Sequence, residues 1–273
     1  MVGMATVIRK IAERVRRNMV GGDTVSLRAW ERLVIVFWSF VLLLVSVFLS
    51  SSGADEKCLD FSFKPSDSGL PQDWKPLTFP KIARHTSYTL ESSGKNFWVK
   101  AESRNSASAL VREIRVDPKV YPILRWRWRV ENVIQKGDEK KKEGDDYAAR
   151  VYVNFRYDPE KASLWERTQY ALAYGTYGHY PPKGALNYIW ANKIERGQVV
   201  DSAYTSKSKM IAVESGPERI GAWVSEERNI HRDYVSYFGE DPPEVIAIAI
   251  MTDTDNTGEK AVAYYEDMTL CSN

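Results

Sequence analysis

The chain has 273 residues, 44% hydrophobic and 27% charged, with 38 Lys+Arg against 36 Asp+Glu, three His and two Cys. The net charge of +2 is unevenly placed: the first 54 residues hold seven basic and three acidic side chains, which leaves 31 basic against 33 acidic, a net of −2. A near-neutral body of this kind makes no case for a nucleic-acid partner, and scattered histidines (His85, His179, His231) argue against a histidine-built zinc centre.

The basic stretch Met1–Arg32 leads into LVIVFWSFVLLLVSVFL, residues 33–49, which carries no charge. Its seventeen residues would reach about 25 Å as a helix, at the short end of what crosses a bilayer core. Ser52 and Ala54 then stand at the −3 and −1 positions of a signal-peptidase site. A cleaved signal peptide and an uncleaved inner-membrane anchor both fit. Either leaves the basic flank in the cytoplasm and the rest of the chain periplasmic or secreted. Residues 50–57 read as a linker or cleavage region, and 58–273 as one domain.

Within that domain, runs of β-branched and aromatic residues recur between Gly, Pro, Asn and Asp clusters. Strands are expected at 74–79, 87–92, 96–103, 109–116, 123–131 and 147–157, then at 185–193, 209–215, 221–228, 244–252 and 260–270. Two helices are expected: Pro159–Gly175, with Pro early and Gly last, and NIHRDYVSYFG, with Asn229 as cap and Gly239 as stop. The charge-dense QKGDEKKKEGDD, residues 135–146, reads as a solvated loop. The fold class is all-β: an antiparallel two-sheet sandwich of jelly-roll type with one or two short helices, preceded by the signal or anchor helix. Cys58 and Cys271 are expected to form a disulfide in an oxidising compartment, with two unpaired buried thiols as the other reading.

The chemistry concentrates on two strands. In LRWRWRV, Leu124, Trp126, Trp128 and Val130 face one way and Arg125, Arg127 and Arg129 the other; in YAARVYVNFRY, Arg150, Tyr152 and Asn154 take the polar face. Paired side by side, these strands would present a field of Arg, Tyr and Asn, flanked by Tyr177, Tyr180, Tyr188 and Trp190. Guanidinium forks bind carboxylates and aromatic rings stack on sugars, so a polysaccharide or anionic glycan is the expected partner. A solvated face whose arginines pair with Glu131, Glu226 or Glu227 is the competing reading. Asp146 and Glu226 are the candidate catalytic carboxylates if the face hydrolyses glycans. MTDTDNTGEK cannot be an EF-hand, because Tyr264 occupies the twelfth position. It reads as a hairpin turn first, with a structural calcium on Asp253 and Asp255 as the alternative; no other cofactor is expected.

LRWRWRV, EGDDYAARVYV, LNYIWA, EERNIHRDYVSYFGEDPP and IAIMTDTDNTG…AYYEDM together resemble the bacterial exported family numbered 3047 among domains of unknown function, over nearly all the chain from about Asp55. The resemblance implies a bacterial envelope protein and assigns no activity, so no catalytic residue carries over. The closing strands also look like carbohydrate-binding jelly rolls, a fold-level analogy. Neither likeness supplies a function; on the arginine and tyrosine face, non-catalytic binding of an envelope glycan is the expected one. A glycan hydrolase or lyase on the same face, and a structural or assembly factor of the envelope, are the alternatives.

Overall fold

A computed structural model describes residues 56–160 and 181–272, with scattered positions between them. The expected segment 33–49 and most of the expected helix Pro159–Gly175 lie outside the described residues, as do Tyr177 and Tyr180. Among the described residues no helix is long and apolar enough to cross a membrane.

In chain order the strands are β1 (Cys58–Asp60), β2 (Lys75–Leu77), β3 (Ser87–Ser93), β4 (Asn96–Arg104), β5 (Ala109–Val116), β6 (Ile123–Val130) and β7 (Arg150–Phe155). They continue with β8 (Gly184–Ala191), β9 (Val199–Ser202), β10 (Thr205–Ser215), β11 (Val224–Asn229), β12 (Val245–Met251) and β13 (Lys260–Cys271), with helix α1 (Ile230–Phe238) between β11 and β12. One sheet has the order β11-β6-β13-β4-β3, with β1 also paired to β13. The other runs β2-β5-β12-β7-β8-β10-β9. The two are called the first and second sheets below.

The expectation of a purely antiparallel sandwich needs correcting, because β8 and β10 are parallel. After β8 the chain leaves one place vacant, lays β9 at the edge, and returns as β10 into the gap, antiparallel to β9. The second sheet is therefore mixed.

Period-two patterning explains which faces meet. Leu124, Trp126, Trp128 and Val130 point inward from the first sheet, and Val151, Val153, Phe155, Tyr188 and Trp190 from the second, all essentially buried. The rings interlock across the interface: Trp126 stands 5.3 Å from Tyr188 and Trp128 5.9 Å from Trp190. Large aromatics bury on the order of 150–250 Å² each, so these four make the centre of the core.

Helix α1 has the termini that its sequence specifies. Asn229 accepts from the Arg232 amide at 2.8 Å, and Gly239 takes the left-handed conformation at φ 74° that ends the helix. Its buried Asp233 receives Arg228 through two bonds, 2.9 and 2.6 Å, and the Tyr188 hydroxyl at 2.8 Å, which docks the helix onto both sheets.

DTDNTG is not a hairpin turn, because β12 belongs to the second sheet and β13 to the first. The segment is a crossover between sheets, and Thr252, Asp253 and Thr254 in it are buried. At the far end of β13, Cys271 stands opposite Cys58 and the two form a disulfide, with Cα atoms 4.0 Å apart. Closing a loop of 213 residues removes denatured-state entropy worth at most about 5 kcal/mol.

Candidate functional site

The joint arginine face does not form. β6 pairs with β11 and β13 in the first sheet, while β7 pairs with β12 and β8 in the second. Arg125, Arg127 and Arg129 therefore lie on the outer side of one sheet, and Arg150, Tyr152 and Asn154 on the outer side of the other. The alternation within each strand is as expected; the partner of each strand is not. Tyr188 and Trp190 turn into the core and flank neither face.

The first of these faces is open. The Arg125 and Arg127 side chains are 36% exposed and Arg129 28%. Acidic neighbours take part of their capacity: Arg125 meets Glu56 and Glu227, Arg127 meets Glu266 at 3.0 Å and Asp267 at 3.6 Å, and Arg129 meets Glu131 at 3.0 Å. Glu266 and Asp267 both reach Arg127 because β13 bulges there, with Asp267 at φ 51°. Burial and then the Asp267 charge push the Glu266 carboxyl above its ordinary range.

Three half-buried rings that sequence reasoning missed complete this face. Trp223 stands 6.3 Å from Trp98 and 6.3 Å from Tyr264, both in edge-on geometry. The Arg129 guanidinium lies 4.0 Å over Tyr264 and 5.6 Å over Trp223, and Arg127 lies 5.4 Å over Trp223. Trp98 is fixed by donating its indole N–H to Glu91 at 2.9 Å. The outward parity of Trp98 and Tyr264 was legible in NFWVKAES and KAVAYYEDM; the approach of Trp223, which precedes its strand, was not.

The second face is closed around Arg150, whose side chain is only 4% exposed. Its Nε donates to Asp253 Oδ1 at 2.8 Å and Nη2 to Asp253 Oδ2; Nη2 also reaches the Asp145 carbonyl at 2.7 Å, and Nη1 the Tyr152 hydroxyl at 3.1 Å. The Tyr147 ring covers it at 4.2 Å. Four of its five N–H donors are thus taken, and Nη1 also lies 3.6 Å from the Asp145 carboxyl, which leaves little for a guest. Tyr152 packs against the small cluster of Ala107, Ala109 and Met251, while Tyr147 belongs to that of Ile189, Ile194 and Met210, so Arg150 sits between two small apolar clusters. Asn154, half-buried further along β7, has no part in this network.

The candidate catalytic pair separates too. Asp146 accepts from the amides of Asn256 and Thr257 at 3.2 and 2.6 Å, beside the crossover from β12. Glu226 points inward from β11 and accepts from the Trp128 indole at 3.2 Å. The two share no partner and go with opposite sheets. Burial first, and then the charge of Glu214, push the Glu226 carboxyl up to about 7. Glu214 itself is held by Arg219 at 2.7 Å and Arg196 at 3.7 Å. Glu226 thus keeps a proton near neutrality, but at 7% exposure it has no access to a substrate.

A two-sheet β-sandwich with one open aromatic and basic face is the class these observations define. The chain belongs to the family described as a protein of unknown function, DUF3047, whose sequence pattern matches residues 72–269. No curated protein matches it. Among solved structures, it is similar to endoglucanase 3 of family GH12 from Trichoderma harzianum, with 8% identity, 82% of this chain and 99% of that chain covered, and a TM-score of 0.38. It is also similar to the family 11 carbohydrate-binding module of cellulase Lic26A-Cel5E from Clostridium thermocellum, at 11% identity, 81% and 97% coverage and a TM-score of 0.36. The family 29 module CBM29_1 from Piromyces equi stands at 5% identity, 81% and 93% coverage and 0.33. Likeness this loose carries no argument about ligand or activity.

Proposed function

We propose that the protein is a glycan-binding β-sandwich that holds its ligand on the outer face of the first sheet. The single observation that carries this reading is the grouping of Trp98, Trp223 and Tyr264 with Arg127 and Arg129 on one open face. Rings offer flat apolar surface to the C–H side of a sugar. The guanidinium groups beside them hold N–H donors beyond those used by Glu266, Asp267 and Glu131, suited to hydroxyl or carboxylate oxygens. An acidic or uronate-containing polysaccharide is the ligand class this combination favours. The Cys58–Cys271 disulfide supports placing the protein in an oxidising compartment outside the inner membrane.

The test is retention of the purified protein in native gels cast with acidic and neutral polysaccharides. Wild type should be retarded by at least one acidic glycan, and Trp223→Ala should weaken retention by roughly tenfold or more, the scale of one lost ring contact. Arg127→Ala should weaken it less and make the remainder less sensitive to salt, since Arg129 stays. Retention that Trp223→Ala and Tyr264→Ala leave unchanged would overturn the assignment of this face.

A further inference from the structure

Four aspartates converge where the loop before β7 meets the crossover from β12 to β13. Carboxylate oxygens of Asp146, Asp253 and Asp255 lie within 4.8 Å of one another. Asp146 and Asp253 are buried and Asp255 half-buried, so the group opens to solvent on one side only. Asp146 accepts one bond on each oxygen, from the Asn256 and Thr257 amides, and Asp253 accepts from Arg150 and the Tyr147 amide on Oδ1 and from Arg150 on Oδ2, so both Asp146 oxygens and Asp253 Oδ2 keep a lone pair for a further partner.

Crowded acids alone describe a polar loop. The second observation is Asp145. Its side chain is nine-tenths buried, and Oδ1 has no hydrogen-bond partner among the described residues. Its Oδ2 lies 3.6 Å from Nη1 of the same Arg150 guanidinium that holds Asp253. The unsatisfied carboxylate therefore shares one guanidinium with Asp253, at the side of the group. Four carboxyl groups stand around the one guanidinium of Arg150 in a largely buried space, and keeping them ionised there is costly without a further counter-ion.

Every donor here is oxygen, with neither imidazole nor thiolate, which selects a hard cation and suits calcium better than zinc. We propose that Asp146, Asp253 and Asp255, with Asp145 behind them, bind one divalent cation of the calcium class. Because Asp146 precedes β7 and Asp253 follows β12, the bound ion would pin the crossover between the sheets to the loop that follows β6.

The test uses the full-length protein stripped with chelator and titrated with CaCl2 by calorimetry, with thermal unfolding followed in parallel. One Ca2+ per chain should bind, and Tm should climb with its concentration, since a ligand of the native state stabilises by mass action. Asp255→Asn should weaken binding roughly tenfold or more, as loss of one carboxylate does in charge-tuned sites, while leaving the cation-free Tm equal to or above that of wild type. Terbium, excited through Tyr147 and displaced by Ca2+, gives a reading on wild type that no variant can confound. Absence of heat, Tm shift and terbium emission up to about 10 mM, above the weakest extracellular calcium modules, would overturn the proposal. So would Asp255→Asn binding as tightly as wild type.

Discussion

Arg127 and Arg150 begin as equivalents, each an outward arginine on a strand whose other residues fill the core. Arg127 keeps a third of its side chain in solvent and leans on Trp223, whereas Arg150 is 4% exposed and spends its donors on Asp253, Tyr152 and the Asp145 carbonyl. The difference comes from what lies over each sheet. Crossover and loop residues close over Arg150, while only a bulge and one indole approach Arg127. A guanidinium on an open face remains available for recognition; one that is covered becomes part of the framework.

Substitution of Arg150 should break this contrast most severely. Arg150→Ala strands Asp253 as a buried unpaired carboxylate and should cost about 3 to 5 kcal/mol, read from the midpoint of urea unfolding. Glu226 offers an intermediate effect with a pH signature. Its carboxyl titrates near 7 when folded, above its ordinary 4.5, so the native state binds the extra proton across that interval. The stability this contributes is complete below about 4.5 and is lost as pH rises through 7, on the order of 2 to 3 kcal/mol. Glu226→Gln should flatten that decline and leave the protein more stable than wild type at pH 8. Arg127→Ala should be the mildest, about 1 kcal/mol in the same unfolding experiment, because Arg127 is itself partly exposed and the buried Glu266 it leaves, already pushed up, can take a proton. An Arg127→Ala loss as large as that of Arg150→Ala would erase the distinction between the two faces.

Local chemistry made much of this architecture legible. The expected run 109–116 coincides with β5, the Trp/Arg alternation of β6 reports its inner and outer sides, and Asn229 and Gly239 bound α1 as their residue types require. What stayed hidden depends on remote partners. DTDNTG carries turn chemistry whether the next strand joins the same sheet or the opposite one, so its role as a crossover could not be read from those residues. Short β9, VVDS, has too little pattern to announce a strand, and with it went the parallel pair. The closure of Arg150 follows from Asp253, 103 positions away, a contact that no spacing rule reports. Asn187 did leave a trace, as one amide in the apolar run LNYIW; it faces outward beside Tyr152, and its Oδ1 has no partner among the described residues.

The Cys58–Cys271 bond has a mechanical consequence. β1 is three residues long and by itself would peel from the sheet under little load. Tension entering the chain just before Glu56 meets, two residues on, a covalent link to the last residue of β13, which pairs there with Ile123 of β6 and further back with β4 as well. The pull is thus delivered sideways into the middle of a sheet, where several hydrogen bonds must shear together, and a fraying edge becomes a tether point.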